Sequence, residues 1–104
     1  MNILIHDDAT AELTEAADGY EVSQPGLGED FFREYKLALE RIASDPESLP
    51  LLETAPEQWG IRRVLRHRFP FVVVFDGGGQ RVRVLAVAHT ARQPLYWSLR
   101  RRNF

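Results

Sequence analysis

Four side chains in the second half of the sequence are of the types needed for metal-free cleavage of a phosphodiester. That reaction requires a general base, cations that stabilise the charge on the phosphate, and an acid for the leaving oxygen. His89 can exchange a proton near neutral pH, Arg63 and Arg92 are cationic, and Tyr96 carries a hydroxyl group. The alternative for His89, which we favour, is structural: a histidine at a strand end that hydrogen-bonds the backbone.

Positive charge comes almost entirely from arginine and is concentrated in the second half of the chain. Residues 1–58 contain fourteen carboxylates and three basic side chains, whereas residues 59–104 contain ten arginines and one carboxylate. Guanidinium groups suit forked contacts with phosphate or carboxylate. We therefore predict a cationic concavity on one side of a sheet, with a solvated surface as the open alternative. The predicted binding residues are Arg62, Arg63, Arg66, Arg68, Arg81, Arg83 and Trp97.

Two features near the C-terminal end allow a structural and a functional interpretation. Tyr96 and Trp97 could stack on a nucleic-acid base, but such a pair more often anchors a terminal helix to its sheet, and we favour the anchor. The run Arg100-Arg101-Arg102 is interpreted as a flexible, solubilising tail.

Several classes of protein do not fit the composition. The sequence has no cysteine, so disulfides and thiolate metal sites are excluded, and its three histidines have no metal-ligand spacing. We therefore expect no metal and no cofactor. No apolar run approaches the roughly 20 residues of a membrane span, and no secretion signal is recognisable, so we expect a cytoplasmic protein without a membrane partner.

Hydrophobic periodicity predicts a single α+β domain over residues 1–104. Ile3-Leu4-Ile5 reads as a strand, followed by an amphipathic helix capped at Asp7 or Asp8 and by a second helix that begins near Gly28. Asp45-Pro46 ends the second helix, and the segment up to Gly60 is irregular.

The rest of the chain has the pattern of strands. Predicted strands cover 61–66, 71–75 and 81–88, with a hairpin turn at Asp76-Gly77-Gly78-Gly79 and a short terminal helix through Tyr96 and Trp97. The uninterrupted apolar run from Phe71 to Phe75 predicts a strand covered on both faces. The resulting order, β-α-α-β-β-β-α, is an antiparallel-rich sheet with a helical hairpin on one face.

This order, with particular residues, resembles the RelE/ParE superfamily of toxins from bacterial type II toxin–antitoxin systems, also called plasmid stabilisation proteins. The most specific stretch is Val84-Leu85-Ala86-Val87-Ala88-His89 followed by Arg92-Gln93-Pro94 and Tyr96-Trp97. Further matches precede it along the chain. They are Gly26-Leu27-Gly28 before Phe31-Phe32, Leu39-xx-Ile42 before Asp45-Pro46, Arg62-Arg63, and Phe69-Pro70-Phe71.

The resemblance implies a growth-inhibiting toxin neutralised by a cognate antitoxin. ParE-like members inhibit DNA gyrase by binding, whereas RelE-like members are metal-independent endoribonucleases that cut mRNA on the ribosome. The two long helices, and a single lysine at Lys36 where RelE-like sites use clustered lysines, favour the ParE branch without catalysis. The alternatives are a ribonuclease that uses His89, Arg92, Arg63 and Tyr96, and an inactive descendant that survives as a binding module. A homodimer, or a heterotetramer with the antitoxin, would be consistent with the family.

Overall fold

The computed structural model describes residues 2–77 and 81–104. The helices are α1 (Asp7–Ser23) and α2 (Leu27–Ser44). The strands are β1 (Ile3–Ile5), β2 (Ile61–Arg66), β3 (Phe71–Asp76) and β4 (Val82–His89). Short 3-10 helices cover Pro46–Ser48, Glu57–Trp59 and Ser98–Arg102. The predicted α+β class and the element order β-α-α-β-β-β are confirmed.

The four strands form one mixed sheet in the order β1-β4-β3-β2. β1 is parallel to β4 but pairs only with Val82–Val84, while β4, β3 and β2 are antiparallel neighbours. Between β3 and β4 the register shifts, because Phe75 pairs with Val84 and Val74 pairs with Ala86. Leu85 is therefore an extra residue, and the bulge reverses the alternation of side chains along the rest of β4.

The core lies on both faces of the sheet. The helical hairpin packs on one face through Ala9, Ala38 and Ile42, against strand residues that include Val73 and Phe75. On the opposite face a second cluster is formed by Ile61, Val74, Leu85, Ala86, Ala88 and Trp97. This two-sided burial confirms the interpretation of the apolar run in β3.

The N-terminal cap of α1 differs from the prediction. His6, rather than Asp7 or Asp8, occupies the capping position, with an extended backbone and a side chain whose Nδ1 accepts a hydrogen bond from the Asp8 amide at 3.0 Å. Asp7 and Asp8 lie in the first turn, where their charges complement the positive end of the helix dipole.

The turn between the helices is fixed by one carboxylate and one glycine. Gly26 has a φ of 91°, a left-handed conformation that other residues adopt with strain. The carboxylate of Glu21 accepts hydrogen bonds from the amides of Gly26 and Gly28. These amides lie at the start of α2, where backbone N–H groups have no acceptor within the helix. The hairpin is therefore held by a side chain of the first helix that caps the second.

The C-terminal segment is not the helix that the sequence predicts. Residues 94–97 form turns, Leu95 has a φ of 64°, and the helix that follows is a 3-10 helix beginning only at Ser98. Gly78 and Gly79 of the predicted hairpin turn lie outside the described residues. No helix in the described ranges is long and apolar enough to cross a membrane.

Candidate functional site

The predicted arginines do not share one surface. Val64 packs on the helical side of the sheet, so alternation places Arg62 and Arg66 on that side and Arg63 on the other. Arg83 lies between Val82 and Val84, both of which face the helices, and therefore also points to the face opposite the helices. The prediction of a single cationic concavity is wrong, because consecutive residues of a strand face opposite sides.

Most of these arginines are engaged by carboxylates or carbonyls of the same chain. On the helical side, Arg66 pairs with Glu34 at 3.1 Å and Arg68 with Asp30 at 2.7 Å, both on α2. Arg62 donates to the backbone carbonyl of Leu49.

The remaining paired arginines bind carboxylates that lie outside α2. Arg83 pairs with Asp76 on the neighbouring strand at 2.6 Å, and Arg63 pairs with Glu53 of the irregular segment at 2.8 Å. Arg81 precedes β4 and is exposed. Three carboxylates of the first half, Asp30, Glu34 and Glu53, are thus paired with arginines of the second half.

A cleft on the sheet face opposite the helices, here called the open-face cleft, collects part of the predicted site. It has a volume of about 290 Å³ and lies between the loop around Glu53 and the segment after β4. Its lining includes all four candidate catalytic residues and two candidate binding residues, with Arg63 in both sets: Arg63, His89, Arg92, Tyr96 and Trp97. The structure therefore brings these five together and leaves Arg62, Arg66, Arg68, Arg81 and Arg83 outside.

All five side chains already make contacts within the chain, Arg63 with Glu53 as described above. His89 accepts a hydrogen bond from the Ala91 amide at Nδ1, at 3.0 Å, so its proton lies on Nε2 when the ring is neutral. The guanidinium of Arg92 lies over the ring of Tyr96, 3.9 Å from its centre. Trp97 is only 2% exposed and serves as the anchor that we favoured over base stacking.

Tyr96 is poorly suited to act as an acid. Its hydroxyl donates a 2.7 Å hydrogen bond to Glu12, and burial, together with this carboxylate, raises the pKa of Tyr96 above its ordinary value. A general acid works best with a pKa near the working pH. The raised pKa therefore makes the Tyr96 hydroxyl a less effective general acid.

Glu12, which the sequence did not single out, accepts several hydrogen bonds from distant parts of the fold. Its carboxylate accepts hydrogen bonds from the Val87 amide, the Tyr96 hydroxyl and both terminal nitrogens of Arg100, at 2.7 to 3.1 Å. Arg100 also donates to the carbonyl of Leu85. We call Glu12, Tyr96 and Arg100 the Glu12 network.

The Glu12 network takes the place of missing strand pairing. β1 ends opposite Val84, and within the described residues no strand continues along that edge of β4. The backbone groups of Leu85 and Val87 would then lack partners, which is costly in a buried environment. Arg100 and Glu12 supply them. The interpretation of Arg100 as part of a solubilising tail is therefore wrong.

A second cleft, of about 470 Å³, lies between α1 and the end of β4. Glu15 and Tyr20 line it from the helix, and His89 and Arg92 line it from the sheet side. Because both clefts share His89 and Arg92, these two residues form the ridge between them. Among the described residues, no group of three His, Asp or Glu side chains is placed to hold a metal ion.

Comparisons with known proteins place the chain in a family. The sequence profile of the family described as "ParE toxin of type II toxin-antitoxin system, parDE" matches residues 3–94. Among solved structures, one described as "Chromosomal ParDE TA system from P. aeruginosa" superposes with a TM-score of 0.73 and 19% identity, covering 86% of this chain and 95% of that chain. At this identity the likeness shows the fold. No curated protein sequence matches.

Proposed function

Because the chain belongs to the ParE toxin family of type II toxin–antitoxin systems, we propose that it is a toxin neutralised by a cognate antitoxin and that it inhibits DNA gyrase by binding. The observation that carries the proposal is the family match over residues 3–94, which also confirms the predicted ParE branch. The proposed targets are cytoplasmic, and we expect the protein there.

The state of the candidate catalytic residues supports binding over catalysis. Tyr96 is held by Glu12, and the guanidinium of Arg92 is stacked on Tyr96. Arg63 is paired with Glu53. A transition state with charge on several phosphate oxygens needs cations that are available to it. Here Arg63, Arg92 and Tyr96 would all first have to give up a partner.

A metal-independent ribonuclease is the second candidate function. It is favoured by one specific observation, namely that Arg63, His89, Arg92 and Tyr96 line the same cleft. An inactive descendant that binds without toxicity is the third.

Induction of the chain alone in a bacterial host should arrest growth, and His89→Ala should arrest it equally. The reason is that a binding inhibitor does not depend on proton transfer by His89. Colony counts and maps of transcript 5′ ends, taken after induction of both variants, measure growth and cleavage together.

Co-expression of the neighbouring reading frame should restore growth if that frame encodes the antitoxin. Transcript ends that appear with the natural chain and disappear with His89→Ala would support the ribonuclease instead. Normal growth with both variants would support the inactive descendant and reject the toxin.

A further inference from the structure

The open-face cleft combines apolar and cationic side chains. Its floor is apolar: Leu65 of β2 is 37% exposed there and lies beside its cross-strand partner Val72. Arg63, two residues before Leu65, lies on the same face and is paired across the strands with Val74. Arg63 and this apolar patch therefore lie about 7 Å apart, the distance between residues i and i+2 of an extended chain.

Arg63, one of the two arginines that line this cleft, is already bound to a carboxylate of the same chain. Glu53 reaches Arg63 Nε at 2.8 Å, although the Glu53 side chain is 71% exposed and that of Arg63 only 27%. The hydrogen bond and charge of Arg63 lower the pKa of Glu53, so the contact is kept with an ionised acid. An exposed ion pair of this kind contributes little stability, so Arg63 can readily exchange Glu53 for another carboxylate.

We propose that the open-face cleft binds an extended peptide with an acidic residue and, two positions later, an apolar residue, and that Glu53 occupies Arg63 until the peptide carboxylate replaces it. The peptide acid pairs with Arg63 and the apolar side chain covers Leu65 and Val72. This inference rests on the proposed function in one respect: in the cell the peptide would be a segment of the antitoxin.

Single-stranded RNA fits the same cleft less well. Proteins that bind single strands stack bases on exposed aromatic rings. Here the ring of Tyr96 is covered by Arg92 and Trp97 is buried.

The test uses a fluorescein-labelled peptide of three Glu-Ser-Leu-Ser repeats, whose acidic and apolar residues share one face. Fluorescence anisotropy with the full chain measures its affinity. Glu53→Gln should bind about threefold more tightly, because the internal competitor is removed. The matched control is Glu57→Gln, an exposed acid of the same segment, which should leave the affinity unchanged.

Arg63 variants complete the test. Arg63→Gln should weaken binding by about tenfold or more, Arg63→Lys should weaken it less, and adding Glu53→Gln to Arg63→Gln should give no gain. Equal affinity of the Glu53 and Glu57 variants would overturn the proposal. So would equal binding of a peptide with lysine in place of glutamate, or Arg63-dependent binding of an oligouridylate in place of the peptide. These measurements use neither gyrase nor an antitoxin. Peptide binding can therefore fail while the proposed function holds, and the proposed function can fail while peptide binding holds.

Discussion

Replacing Glu12 with alanine is expected to lower the free energy of unfolding by about 3–5 kcal/mol. The substitution removes the acceptor shared by Tyr96, Arg100 and the Val87 amide. Glu12 and Arg100 side chains are 15% and 16% exposed, so water restores few of these contacts. A buried charge that loses its partner costs more than the pair had contributed. Urea unfolding followed by circular dichroism measures the loss.

Two controls separate the Glu12 network from a general effect on α1. Glu15→Ala changes an exposed acid on the same helix and should alter the free energy of unfolding by no more than about 0.5 kcal/mol. Replacing Glu12 with leucine and Arg100 with methionine together should recover part of the loss, since an apolar pair leaves no charge unpaired. The assignment fails if Glu12→Ala is no more harmful than Glu15→Ala.

The second large effect is expected at Gly28, where α2 crosses α1. A Cβ at this position would lie 2.6 Å from the backbone carbonyl oxygen of Ala17 and 3.1 Å from the Cβ of Glu21. Because the nearest atom belongs to the backbone, the helices would have to move apart. Gly28→Ala should therefore lower the free energy of unfolding by about 3 kcal/mol, as measured by urea unfolding.

Gly19 provides the matched control, because the same substitution should have the opposite sign there. It lies in α1, and a Cβ built on it meets nothing within 4 Å. Gly19→Ala should raise the free energy of unfolding by up to about 1 kcal/mol, the difference in helix propensity between the two residues. Similar losses at both glycines would contradict the close crossing.

The elements of this fold could be predicted because their signals are local. Periodicity located both helices and the three C-terminal strands to within one or two residues at most ends, and the apolar run 71–75 indicated a strand buried on both faces. Such patterns depend on neighbours within one or two turns of chain. The family resemblance rested on the order of the same local features.

The arrangement of charges could not be predicted, because it depends on contacts between distant segments. Arg66 meets Glu34 and Arg100 meets Glu12 only after the sheet and helices have packed. The local sequence around a run of arginines does not distinguish solvated arginines from buried ones. In β4 the extra residue Leu85 also changes which face Val87 and His89 point to, and no residue type in that stretch marks a bulge.

Inhibition of DNA gyrase by the purified chain tests the central claim most directly. Relaxed plasmid, ATP and purified gyrase are incubated with increasing amounts of the protein, and supercoiled product is resolved on an agarose gel. A ParE toxin that acts by binding should suppress supercoiling at a small molar excess over gyrase. Full supercoiling activity at a large molar excess of the folded protein would contradict the account.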